Sequence, residues 1–184
     1  MAERISYSVW SVPAHPLRDA LARVISELAQ RFGTPKFTPH ATLCSGKWKD
    51  SLDDLKQTVD ALSSSLQPIA LTAQGIDCGD KRTTFFYLKL DDDQAMPLFT
   101  QAKRALLGSH APVMGAHLSL MYAEPNEGID RKALANEFAN RMPRQIDFDE
   151  LQLVRPVDEG TNTDYWQVLH VVRPRPAGAD SILL

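Results

Sequence analysis

The chain has 184 residues, a formal net charge of −3 and a pI near 5.9, so it has no global positive field with which to collect a long polyanion by counterion release. With 43% apolar and 23% charged residues it is too rich in core-forming side chains for a disordered chain, and no apolar run reaches the roughly 18 residues of a membrane span. Cys44 and Cys78 form no CxxC pair, which suits two reduced thiols better than a disulfide framework or a zinc knuckle.

That length fits one domain of two halves over residues 1–173, followed by a Pro-rich tail over 174–184. The opening Met-Ala-Glu-Arg carries neither the basic nor the apolar region of a secretory leader, and the expectation is a cytoplasmic monomer.

Residues 5–12 alternate with β-rich side chains and stop at Pro13, a strand pattern. Leu17, Leu21, Val24, Ile25, Leu28 and Phe32 then recur at helical spacing up to Gly33. Pro35 and Pro39 forbid helix and lead into His40-Ala41-Thr42-Leu43, which reads as strand. A second amphipathic helix follows on Leu52, Leu55, Val59, Leu62 and Leu66. Residues 68–78 and 83–90 read as strands around a Gly79-Asp80 turn.

Asp91 to Asp93 suit the N-terminus of a helix that Gly108 ends. A strand is expected over Val113–Tyr122, then a helix carrying Leu134 and Phe138, then strands near 145–154 and 164–172. Helices interspersed with hairpin-linked strands indicate an α+β class and exclude a doubly wound parallel sheet. The unit of helix, Pro-containing loop and strand occurs twice, ending in His40-Ala-Thr42-Leu43 and in His117-Leu-Ser119-Leu120. Two copies suggest two lobes related by a pseudo-twofold and facing each other across a cleft.

In a strand, residues i and i+2 share a face, so His40 pairs with Thr42 and His117 with Ser119. Two imidazoles and two hydroxyls around one volume suit a phosphate diester. One histidine accepts a proton from water, the other returns one to the departing oxygen, and the hydroxyls bond the nonbridging oxygens. That scheme needs no metal and no cofactor. A single strand histidine is ordinarily a structural residue, and it is the repeated context that points to catalysis. His15, His110 and His170 lie outside the pattern and read as structural or exposed. A metal site of His40, Cys44 and His117 can be drawn if Cys44 shares the face of His40, but it lacks a fourth ligand. Lys36, Lys47, Lys49 and Arg82 read mainly as surface charges.

The segments Tyr7-Ser-Val-Trp10, Phe37-Thr-Pro-His40-Ala-Thr42 and His117-Leu-Ser119-Leu-Met-Tyr122-Ala-Glu124, with Trp166 in the closing strand, resemble the cyclic phosphodiesterases of plants and yeast. These belong to the 2H phosphoesterase superfamily, defined by a pair of His-x-Thr/Ser-x motifs. The resemblance implies a two-lobed fold, with antiparallel sheets flanking a central cleft and helices outside. It also implies hydrolysis of nucleoside 2′,3′-cyclic phosphates or of ADP-ribose 1″,2″-cyclic phosphate. It places the catalytic pair at His40 and His117, substrate-binding hydroxyls at Thr42 and Ser119, a phosphate-contacting phenol at Tyr122 and a cleft aromatic at Trp10. Either aromatic could stack on a nucleobase. Thr83-Thr84 stands where those relatives carry phenylalanine, which leaves the base-stacking residue open. Two other readings remain at this stage: a non-catalytic binder of RNA ends or cyclic nucleotides, and an enzyme of the same superfamily acting on RNA termini.

Overall fold

The computed structural model describes residues 4–108, 115–125, 128–156 and 166–174. Among these residues seven strands and four helices run in the order β1 (Ile5–Pro13), α1 (Leu17–Phe32), β2 (Ala41–Trp48), α2 (Leu52–Ser65), β3 (Ile69–Asp77), β4 (Phe86–Leu90), α3 (Asp92–Leu106), β5 (His117–Met121), α4 (Arg131–Ala139), β6 (Gln145–Arg155) and β7 (Gln167–Val172). The helix boundaries follow local chemistry. Gly33 takes a left-handed conformation (φ 65°) that ends α1, Ser51 and Asp54 form a capping box at the start of α2, and Asp91 caps α3 through the Gln94 amide.

All strand pairs are antiparallel, in the order β1-β2-β5-β4-β3-β6-β7, and β1 also pairs with β6 so that the path returns on itself. The long β6 belongs to both halves. Residues 145–148 pair with β3, and residues 151–155 pair with β7 on the same edge. One half is therefore β2-β1-β6-β7 and the other β5-β4-β3-β6. The edge strands β2 and β5, which carry the two motifs, meet at the single pair Ala41–Leu118. Helix α1 packs on β5 and α3 packs on β2, so each half's helix supports the other half's motif strand. This reciprocity is the expected pseudo-twofold, and the α+β architecture is as expected.

Several local expectations change. Residues 82–84 form a 3-10 turn, and the strand begins only at Phe86, because Gly79 and Thr84 close a tight loop through the Gly79 N–H to Thr84 carbonyl bond (2.7 Å). Gly79 is required there, since a Cβ would stand 2.6 Å from Thr84 Oγ1. The strand expected from Val113 begins at His117. Positions 113–114, like His110 and the tail beyond Pro174, lie outside the described residues. Among the described residues no helix is long and apolar enough to cross a membrane.

A buried ion cluster ties the ends of the first half together. Glu150 on β6, 4% exposed, accepts from Gln152 (2.7 Å) and lies 3.4 Å from both Arg18 of α1 and Arg173 after β7. Arg18 also donates to the Pro13 carbonyl at 2.8 Å. Burial alone would raise the Glu150 carboxyl, but Gln152 and the two arginines outweigh it and hold the group below its usual value. Replacing Glu150 by Ala leaves Arg18 only the longer carboxylate contact to Asp149 (3.8 Å) and is expected to cost about 1.5 to 3 kcal/mol in denaturant unfolding. Because the carboxyl is held low, its contribution is full above the ordinary carboxylate range and disappears as pH falls through the lowered value. The stability gap between wild type and Glu150→Gln should therefore persist at neutral pH and close only in acid.

Candidate active site

The Ala41–Leu118 pair fixes the site. Both side chains are essentially buried in the core, so their neighbours His40, Thr42, His117 and Ser119 project from the opposite face. Extending that register by one residue in each direction sets His40 beside Ser119 and Thr42 beside His117. The two histidines are then diagonal partners, and their backbones lie roughly 7 to 8 Å apart, enough to flank one tetrahedral group. The structure brings all four motif residues together, and charge on His117 is felt at His40.

Each imidazole is held in the same way. His40 Nδ1 lies 2.6 Å from the Thr38 carbonyl and His117 Nδ1 lies 3.1 Å from the Gly115 carbonyl, two residues upstream in each case. A carbonyl only accepts, so both Nδ1 atoms carry hydrogen and each neutral ring leaves Nε2 bare.

Their surroundings differ. His40 is 4% exposed, stacked on Trp10 (ring centroids 3.7 Å apart, planes 13° from parallel), with Phe37 and Trp166 edge-on at 6.1 Å each. Burial among these rings lowers the His40 pKa to about 4, against the Thr38 bond that favours the charged ring, and His117 lowers it further. His117 is half-buried and meets only one ring among the described residues, Tyr87, at 5.3 Å.

The hydroxyl side is a short chain. Ser119 Oγ donates to the Thr83 carbonyl at 2.7 Å, and the Tyr122 phenol lies beside Ser119 as a further polar group. Tyr122 is stacked on Phe37 at 4.1 Å, and burial pushes its phenol up to about 12, so it remains a donor across the working range. Arg131 donates to the Gly79 carbonyl at 2.6 Å and steadies the loop that presents Thr83. Trp10 lies on the same face, opposite Thr42, with 5% exposure.

Other candidates fall elsewhere. Cys44 is in the core, because β2 bulges against β1: Trp10 pairs with Thr42 but Val9 pairs with Cys44, so Leu43 and Cys44 both turn inward. The drawn His40, Cys44 and His117 set is therefore not assembled. His15 is exposed and bonded to Asp19, and His170 joins β7 to α2 through Asp60 at 2.7 Å. Sequence reasoning gave no role to Phe37, Tyr87 or the Thr38, Gly115 and Thr83 carbonyls. The aromatics had ordinary core readings, and a carbonyl acceptor leaves no mark on residue identity.

The carbonyl contacts predict that nitrogen-detected spectra at pH 7 show His40 as the Nδ1–H tautomer. A His40 protonated at Nε2 alone would contradict the geometry.

The family model for cyclic phosphodiesterase-like proteins matches residues 5–112, which contain the first motif. A cyclic phosphodiesterase of Arabidopsis thaliana is 24% identical over 180 residues, spanning 92% of this chain and 96% of its own length. Among solved structures, the TT0787 protein of Thermus thermophilus superposes with a TM-score of 0.59 at 15% identity, covering 94% of this chain and all of that one. Apo LigT of E. coli does so with a TM-score of 0.58 at 12% identity, covering 94% and 98%. The chain thus belongs to the cyclic phosphodiesterase-like family, within the 2H phosphoesterases, and is an enzyme of phosphodiester hydrolysis.

Proposed function

We propose that this enzyme hydrolyses small 2′,3′-cyclic nucleotides, or ADP-ribose 1″,2″-cyclic phosphate, to a phosphomonoester, with His40 and His117 as acid and base and no metal. The observation that carries the reading is the antiparallel seam, which sets His40 by Ser119 and Thr42 by His117 on one face. A pseudo-twofold set of two bases and two hydroxyls matches a phosphate that is attacked on one side and released on the other. E. coli LigT has been crystallised with phosphate, with 3′-AMP and with NADP+, which supports a small phosphate-bearing substrate. A monomeric, cytoplasmic, single bilobal domain over residues 1–173 goes with this reading.

Water attacks phosphorus as one bare Nε2 takes its proton, a new P–O bond forms, and the P–O bond to the 3′ oxygen breaks. That oxygen takes a proton from the other imidazole, leaving the 2′-phosphate. The hydroxyls of Thr42 and Ser119, with the phenol of Tyr122, bond the nonbridging oxygens as charge builds on them. One ring must enter bare and the other protonated, and an anionic phosphate between them raises both. The limbs of the pH profile therefore belong to the pair.

The first test is turnover of a 2′,3′-cyclic nucleotide. Replacing His40 or His117 by Ala should lower kcat by roughly 10² to 10⁴, and the double variant should fall far short of the product of the two losses. Thr42→Ala and Ser119→Ala should each cost roughly 10 to 10³. Activity should survive exhaustive chelation, and the product should be the 2′-phosphate. Undiminished turnover in His117→Ala, or chelator-sensitive activity restored by added metal, would refute the mechanism.

A further inference from the structure

Trp10 stands in the site with almost no surface to offer a ligand. One face of its ring lies on His40 at 3.7 Å and 13°, Trp166 packs edge-on at 5.1 Å, and the residue is 5% exposed. A nucleobase needs an open ring face on which to stack. The indole is also anchored. Its Nε1–H donates to Ser8 Oγ at 2.8 Å, and Ser8 Oγ lies 2.8 Å from Ser45 Oγ across the β1–β2 pairing, with Ser8 itself 6% exposed. Two strands therefore hold the indole plane, and the indole plane covers one face of the imidazole.

We propose that Trp10 is a positioning residue that acts on His40 and not on the substrate: clamped by Ser8, its indole fixes the plane of the imidazole and keeps water off one face. His40 is then defined by two restraints at right angles. The Thr38 carbonyl fixes rotation within the ring plane, and Trp10 fixes the plane itself, so Nε2 has one direction in which to point. His117 has the first restraint, but its neighbouring ring, Tyr87, is tilted by 64° and does not cover it. The two halves of the enzyme thus treat their histidines differently within a shared backbone scheme.

The cover has an electrostatic consequence whose sign follows from competing effects. A stacked indole attracts an imidazolium through its π-face, which favours the charged ring, whereas exclusion of water disfavours it. Burial is the larger, since the His40 pKa stands lowered to about 4. Among the described residues, the titratable groups around the ring are His117 of β5 and Tyr122 just beyond it. Trp10 itself, with Arg18 and Asp19 of α1 and Lys36 of the following loop, lines an open hollow of about 440 Å³, and Glu150 of β6 is paired to Arg18. Trp10→Leu changes the charge of none of these groups, so a change in His40 titration reports the cover.

The inference rests on the proposed reaction for its kinetic arm but not for its spectroscopic one. Trp10→Leu keeps an apolar filler without a stacking face. Ser8→Ala leaves the indole in place without its anchor and serves should the first variant fold poorly. In ¹H–¹³C spectra of the imidazoles, both variants should move the His40 midpoint upward, by a unit or more for Trp10→Leu. In kinetics, kcat should fall roughly tenfold or more for 2′,3′-cyclic AMP and for ribose 2,3-cyclic phosphate alike, and the pH profile of the coupled pair should move to higher pH. A His40 midpoint that stays in place, or a KM increase confined to the base-bearing substrate at unchanged kcat, would overturn the proposal. An enzyme inactive on both substrates would remove the proposed function, while the His40 midpoint would still decide the role of Trp10.

Discussion

The site depends on one backbone constraint: two sheet edges touch at a single antiparallel pair. Wherever Ala41 lies against Leu118, antiparallel pairing and strand alternation leave no freedom over which residues flank them or which face those residues use. A slip of one residue in either strand would turn that strand's histidine into the apolar core and its Ala41 or Leu118 out of it. The penalty for that slip includes the burial energy of the alternate residues Leu43 and Leu120, roughly 1.5 to 3 kcal/mol for each large apolar side chain. Register and site geometry are thus stabilised by the same contacts. The reciprocal packing of α1 on β5 and α3 on β2 fastens the seam from behind, so the two halves cannot part without exposing helix faces.

On that symmetric frame the two half-sites have diverged. The backbone gives both histidines the same Nδ1 acceptor two residues upstream, so tautomer and ring direction come from local chain geometry alone. The difference arises from side chains brought in from elsewhere: Trp10 from β1, Phe37 from the Pro-flanked loop and Trp166 from the approach to β7 surround His40, while His117 is left half-open. A reaction with two opposite proton transfers gives the two rings different tasks, and their unequal surroundings distinguish them. Among the described residues, the partner ring is the charged group felt at His40.

The parts legible in the sequence were those governed by short-range rules. Helical periodicity with Gly33 as a stop located α1, the acidic run at Asp91 located α3, and the repeated His-x-Thr/Ser-Leu strands located the seam. What escaped was set by long-range pairing. The bulge that turns Cys44 inward exists because β1 and β2 must twist around the core, and neither strand shows it alone. The strand expected from residue 83 begins later because Thr83 and Thr84 close a loop held by Arg131 of a distant helix. Trp10 was recognisable as a cleft aromatic, but that its face is taken by His40 depends on the pairing of Trp10 with Thr42 and on the Ser8 anchor, contacts that only the folded sheet defines.

The same long-range logic bears on how Ser119 would reach a phosphate. Its only hydrogen is given to the Thr83 carbonyl, so the hydroxyl is already committed within the protein. In the proposed reaction, turning that hydrogen to the substrate gives up a neutral bond worth about 1 kcal/mol net and gains one to a charged oxygen worth about 1.5 to 3 kcal/mol. The exchange favours an anion over water, because water offers no such surplus. Tyr122 stays protonated throughout, so its phenol can donate to the phosphate beside the turning hydroxyl. The Thr83 carbonyl thus holds the hydroxyl in a defined orientation until charge arrives, and the loop closed by Gly79 and Arg131 keeps that carbonyl in place.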